Sequence, residues 1–300
     1  MTPVRLTRDL LAAGYTHNEL ARLAHTGELE HVRRGVYATP IEDANLAARH
    51  LRLIEATVRL TAADSVVSHL SAAVLHGLPV ATPRLGPVQL TRPAIRGGKR
   101  RSGVHAHVAA LSEEDVTVVR GIPTTSLART VADLGRSQPF RFAVMGGDAA
   151  MRTGLTPESL DRCLLRAKGW PRVAAARRMA AFLDPLSESP GESLSRVALH
   201  ETAVPAPALQ YEIWDQARLV ARVDFCWEQQ GTIGEFDGRA KYGRLLRPGQ
   251  GAEDAVYREK RREDALRDLG WQVVRWVWAD LETPEVIADR VSRAFIRARR

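Results

Sequence analysis

The chain reads as a multidomain α+β protein, and three observations predict this. A capped helical hairpin followed by two short basic strands fills the first 40 residues. A middle stretch mixes apolar helices with separated β-type runs. The C-terminal stretch runs helix, three strands, helix, strand, helix, the order of an α/β sandwich around a mixed sheet. The expected domains are 1–41, 42–185 and 186–300.

Three hundred residues suffice for two or three domains, and 45% hydrophobic content supplies their cores. The two cysteines, Cys163 and Cys226, lie far apart with no zinc-type spacing, which points to a reducing, cytoplasmic setting. No apolar run approaches the roughly 20 residues of a spanning helix. Met1 to Asp9 carries Arg5 and Arg8 without an apolar segment, so no signal peptide and no membrane partner are expected. A net charge of +8 and a pI near 10.0 favour a polyanionic partner, although an arginine-rich composition also follows from a GC-rich genome.

Leu6 to Ala12 predicts a short helix closed by Gly14. Thr16-His17-Asn18-Glu19 is a capping-box pattern opening a second helix, with Leu20, Leu23 and Ala24 on one stripe and Gly27 as its stop. Leu29 to Tyr37 then reads as two strands around a basic turn. This is the layout of a winged helix-turn-helix, in which the second helix enters the major groove and the wing touches phosphates. His17, Asn18 and Arg22 are the candidate contacts on the helix, Arg33 and Arg34 those in the wing. So small a fold also serves as a protein-docking module, and both uses stay open.

Residues 42–60 predict a connecting helix, and Ser68 to Gly77 a second, glycine-terminated one. Strands are expected at Val88–Thr91, Val104–Val108 and Val116–Ile122. The basic segment Arg92 to Arg101 is either a solvated connection or a loop that follows a nucleic-acid backbone. Thr124-Thr125-Ser126 caps a helix through Leu134, and a helical stretch runs from Leu155 to Phe182. His69 and His76 share a helix face, and His105 and His107 a strand face. No nearby acidic or cysteine partner completes a metal set, so they read as paired core or surface histidines.

Past the polar junction 184–190, Ser189-Pro190-Gly191-Glu192 opens a helix through Leu199. Strands follow at Leu209–Trp214, Leu219–Trp227 and Thr232–Asp237, then a helix over Glu253–Leu269, a strand at Trp271–Val277 and a terminal helix from Thr283-Pro284. With Glu228 to Gly231 as the turn, the simplest register pairs Trp227 with Thr232. It sets Asp224 across from Glu235, with Asp237 on the same face. Like charges so placed destabilise a sheet unless a cation or a shared proton relieves them. Mg²⁺ is typically held by one or two carboxylates plus water and substrate phosphate. In the other reading Asp224 and Asp237 face solvent, Asp237-Gly238 being ordinary turn chemistry; a slip of one residue would remove the opposition.

The segment from Glu192 to Leu281 resembles the very-short-patch-repair-like branch of the PD-(D/E)XK nuclease superfamily, which has a restriction-endonuclease-like fold. The likeness is carried by Glu192 and Arg196 on one helix, Val223-Asp224-Phe225, Glu235-Phe236-Asp237-Gly238, and Glu259 to Asp264 ahead of Leu269 to Trp276. Upstream, the winged helix, Ser68 to Ala73 and Gly121 to Leu134 resemble AbiEi-like antitoxins of abortive-infection systems.

The nuclease resemblance implies Asp224 and Glu235 as ligands of Mg²⁺ or Mn²⁺, with Glu192 approaching from its helix. Glu192 is equally explained as part of a capping box. The lysine usual at 237 is Asp237 here, a further ligand or base, and Lys241 would reach back as the missing cation. Arg196, Lys260 and Arg262 would hold phosphate oxygens, or else form an exposed charged helix face. The implied activity is metal-assisted hydrolysis of phosphodiester bonds, in double-stranded DNA, with a homodimer for two-strand cleavage. The other readings are an antitoxin-like transcriptional regulator with a catalytically silent nuclease fold, and a module that neutralises a partner toxin.

Overall fold

The computed structural model describes residues 4–42, 45–61, 64–92, 100–101, 103–238 and 252–298. The chain divides into two compact units, Met1–Phe182 and Leu183–Arg300.

The first unit opens with β1 (Arg5–Leu6), α1 (Thr7–Ala12), α2 (His17–His25), β2 (Glu30–Arg33) and β3 (Val36–Ala38), the strands forming an antiparallel sheet in the order β1-β3-β2. The capping box forms as the sequence implies. Thr16 Oγ1 accepts from the Glu19 N–H at 3.2 Å, and Glu19 accepts from the Thr16 N–H at 2.7 Å. The expected linking helix is α3 (Leu46–Val58), but it does more than connect. Ala56 joins Val4, Leu6, Val36 and Ala38 in one buried cluster, and Arg52 pairs with Glu30. The first 40 residues therefore share a core with α3.

The middle of this unit holds a mixed sheet built from β4 (Val66–Val67), β5 (Val88–Arg92), β6 (Arg100–Arg101), β7 (Val104–Val108), β8 (Val116–Val119) and β9 (Ile122–Thr125), in the order β6-β7-β5-β4-β9-β8. The run expected as one strand over 116–122 is a hairpin. Val119 pairs with Ile122 around Arg120 and Gly121, both at positive φ (53° and 76°), the two-residue turn that matches strand twist. Helices α4 (His69–Leu75), α5 (Leu127–Ser137), α6 (Phe140–Arg152), α7 (Pro157–Arg166) and α8 (Val173–Ala180) complete it. The stretch expected as helical from 155 to 182 breaks between α7 and α8. There Gly169 (φ 85°) and Arg172 (φ 61°) turn the chain, and Pro171 offers no N–H.

The second unit follows the expected order: α9 (Pro190–His200), β10 (Ala208–Asp215), β11 (Arg218–Trp227), β12 (Thr232–Phe236), α10 (Ala252–Asp268), β13 (Gln272–Trp276) and α11 (Pro284–Ala298). The sheet runs β10-β11-β12-β13, antiparallel through β12 and parallel between β12 and β13. One core joins Phe225, Trp227, Val274 and Trp276 to Ala198 and Leu199 of α9 and Ile287 and Val291 of α11. Another joins Ala221, Val223, Cys226 and Ile233 to Leu266 of α10. Two glycines permit the close packing. A Cβ on Gly234 would overlap the Trp276 indole, and one on Gly191 would overlap the Phe236 ring. The second contact draws the start of α9 against β12.

A candidate polar cleft on the C-terminal sheet

The hairpin register is the expected one: Trp227 pairs with Thr232, Cys226 with Ile233 and Phe225 with Gly234. The next step sets Asp224 beside Glu235. There the ladder yields to a side chain, and Asp224 Oδ2 accepts from the Phe236 N–H at 2.9 Å. On the far side of β11, Leu209 pairs with Phe225 and Tyr211 with Val223, which leaves Gln210 next to Asp224. On the far side of β12, Glu235 pairs with Arg275. Gln210, Asp224, Glu235 and Arg275 thus form one polar row across four strands.

Two helices add charge to the row. Glu192, 8% exposed at the start of α9, accepts from Gln210 Nε2 at 2.9 Å and from the Glu188 N–H at 2.8 Å. Its own N–H donates to Ser189 Oγ at 3.2 Å, so Ser189 is the N-cap while the Glu192 carboxylate reaches one residue beyond it. From α10, Arg262 pairs with Glu235 Oε1. Arg275 Nη2 lies 3.0 Å from Glu235 Oε2 and 3.3 Å from Glu263. Burial, with Glu192 and Glu235 nearby, pushes the Asp224 carboxyl up to about 6, against the opposing effects of the Phe236 N–H and Arg262.

These groups open onto a cleft of about 180 Å³ lined by Arg222, Asp224, Glu235, Phe236, Asp237, Arg262 and Arg275. Asp224, Glu235, Asp237 and Arg262 were legible in the sequence; Arg222, Arg275 and Gln210 were not singled out. Arg196 turns to Ser187, donating from Nε to Oγ at 3.2 Å, and does not line the cleft. Lys260 is exposed and does not line it either. Lys241 lies outside the described residues.

The chemistry of the donor set bears on a divalent ion. Asp224 and Glu235 offer hard oxygens, as Mg²⁺ requires. However, both oxygens of Glu235 face guanidinium groups, and Asp224 Oδ2 already accepts a backbone N–H. Among the described residues, no three His, Cys, Asp or Glu side chains group as metal ligands would. As arranged, these residues do not fit a resident metal.

The N-terminal candidates fall into two sets. Leu20 is buried and Leu23 half-buried, while His17, Asn18, Ala21, Arg22 and His25 stand exposed on the other side of α2. Arg22 lies 3.7 Å from Glu28, both exposed. Arg34 is exposed at the β2–β3 turn. Arg33 instead turns inward and donates to Thr57 Oγ1 of α3, and burial lowers its pKa. Its backbone ends β2, beside the turn, and its side chain braces the module.

The histidines separate as well. His76 Nε2 meets the Thr125 carbonyl at 2.8 Å. His69 stacks on His107 with ring centroids 3.7 Å apart, and His107 on His105 at 4.2 Å. The acidic neighbour absent from the local sequence arrives from α5, with Asp133 Oδ2 3.7 Å from His69 Nδ1. Burial, then Arg129 and Arg136, holds His69 down at about 3; burial and the neighbouring histidines do the same for His107. Among the described residues, no helix is long and apolar enough to cross a membrane.

Comparison with known proteins places likeness at both scales. Two proteins of Mycobacterium tuberculosis, the uncharacterized protein MT2308 of strain CDC 1551 / Oshkosh and the uncharacterized protein Rv2248 of strain ATCC 25618 / H37Rv, are each 28% identical over 290 residues, 95% of this chain and 98% of theirs. The crystal structure of RV2827C protein from the same species gives a TM-score of 0.40 at 17% identity, over 71% of this chain and 84% of that one. Residues 6–40, the α1–α2 pair with its strands, match the family described as a transcriptional regulator, AbiEi antitoxin.

Proposed function

We propose that this protein is a DNA-binding regulator of the antitoxin type, with a winged helix-turn-helix at its N-terminus and a catalytically silent nuclease-like fold at its C-terminus. The observation that carries it is the exposed polar face of α2, where His17, Asn18 and Arg22 stand clear of the core that holds Leu20. Such a helix reads base edges in the major groove from its N-terminal residues, and asparagine pairs bidentately with adenine. Arg22 and Arg34 supply phosphate contacts, and the net charge of +8 adds attraction for duplex DNA. The family description matched by residues 6–40 supports both the regulatory role and a partner toxin protein. A homodimer on a two-fold operator is the arrangement such modules usually take. The test is fluorescence anisotropy of the full chain on duplex DNA from upstream of its own gene. Wild type should bind, and Asn18→Ala with Arg22→Ala should not. Equal binding by both proteins would remove α2 from the interface.

A second reading, a Mg²⁺- or Mn²⁺-dependent endonuclease with Asp224, Glu235, Asp237, Lys241 and Glu192 in its active site, is favoured by one observation. The Asp224–Glu235 juxtaposition forms in the register that such a site needs. Plasmid nicking with either ion, comparing wild type with Asp224→Ala, decides it.

A further inference from the structure

We infer that Arg262 and Arg275 stand in for a divalent cation in the C-terminal cleft, neutralising Glu235 at both of its oxygens. The inference rests on the regulator reading, whose silent C-terminal fold it explains. Two anionic groups on adjacent strands need a positive charge between them, or the sheet is destabilised. The sequence pattern alone suggests a metal for that purpose. The fold delivers guanidinium groups instead, from two directions. Arg275 arrives in parallel register beside Glu235, with Nη2 3.0 Å from Oε2. Arg262 arrives from α10 on the other oxygen, Oε1. An ion seated between Asp224 and Glu235 would have to displace at least one of these pairs.

The surroundings are built to the same end. Glu263, on α10 beside Arg262, also faces Arg275 and holds its guanidinium at 3.3 Å. Glu192 is turned toward Gln210 Nε2 and the Glu188 N–H, which meet its carboxylate without a metal. Asp224 takes its hydrogen bond from the Phe236 N–H. Glu192, Asp224 and Glu235 thus each have a donor from the chain itself.

The test is Mn²⁺ titration of the full chain, followed by loss of the free-ion paramagnetic resonance signal. Wild type should show no saturable uptake up to millimolar ion. Arg262→Gln with Arg275→Gln should gain one saturable site per chain, and adding Asp224→Asn to that background should abolish it. Uptake by wild type that is lost in Asp224→Asn overturns the inference, and so does a folded double variant with no gain. If thermal melting shows the double variant unfolded, Arg275→Gln alone frees Oε2; it should take up the ion, and its failure to do so counts against the inference in the same way. Duplex binding through α2, measured on the same preparations, separates this outcome from a failure of the regulator reading.

Discussion

Gln210 reaches Glu192 across 2.9 Å from a left-handed backbone (φ 50°) in the body of β10. A glutamine in that conformation within a strand is strained, by about 1–3 kcal/mol, and persists only where its surroundings hold it. Here they do: its neighbours Leu209 and Tyr211 keep their pairing with β11 while the amide is directed at a buried carboxylate. Gln210→Ala keeps the strain and loses the bond, leaving Glu192 with one donor fewer. We expect a loss of about 1–2 kcal/mol in urea unfolding. Gln210→Gly should lose less, because glycine accepts the backbone angle.

Asp224 gives the second unit a pH signature. Its folded pKa, about 6, lies above the unfolded carboxylate value. Between pH 4 and 6 the unfolded chain releases this proton while the folded chain retains it. The Asp224 contribution therefore turns against folding as pH rises through that window, and the penalty is complete above it. Asp224→Asn should flatten this part of the stability profile and stabilise the protein at neutral pH by on the order of 2 kcal/mol. A steeper profile in the variant would contradict the assignment.

Arg129 and Asp133 of α5 form an almost wholly sequestered pair, 1% and 0% exposed, with Nε 3.1 Å from Oδ2. Arg129 also lies over the Trp170 ring at 4.2 Å and near Asp115. Arg129→Ala removes one guanidinium from Asp133, which keeps Arg136 at 3.0 Å, and from Asp115, which keeps Arg166 at 2.9 Å; unfolding should show a loss of about 3 kcal/mol. Replacing arginine and aspartate together by apolar residues of similar size should cost less.

At the N-terminus two variants separate reading from attraction. Asn18→Ala should relax discrimination at one base pair by about 1–3 kcal/mol and leave the salt dependence nearly unchanged. Arg34→Ala should weaken binding to all duplexes alike and reduce the slope of log K against log salt by about 0.9. Arg33→Ala should act on stability instead, since its guanidinium is bonded to Thr57.

Gly191→Ala tests how α9 is seated. The added methyl would collide with the Phe236 ring, pushing α9 away from β12. Thermal unfolding should register about 1–3 kcal/mol of overpacking, and the Glu192–Gln210 bond should be disturbed with it.

What could be read in advance follows the range of the interactions. The placing of Asp224 beside Glu235 was legible because a short turn, Glu228 to Gly231, fixes the register that runs up to Phe225 and Gly234. The Glu235–Arg275 pairing was not, because parallel strands are joined through a helix and the connection does not encode register. The β8–β9 hairpin hid inside one apolar run whose turn residues, Arg120 and Gly121, were too few to interrupt the pattern. Asp133 could not be matched to His69 beforehand, since the strands β5 to β9 separate α4 from α5 in sequence. Gln210 left no signal at all, because backbone strain is set by packing and not by residue type.

The small β1-β3-β2 sheet takes part of its footing from a later segment. Val4, Leu6, Val36 and Ala38 rest on Ala56, and α3 is tied onward through His50, whose Nε2 meets Ser71 Oγ at 2.9 Å. A fragment cut after position 41 would lay those side chains open to water and surrender its shape. On the proposed DNA-binding reading, the smallest piece expected to grip a duplex therefore extends through Val58, the end of α3.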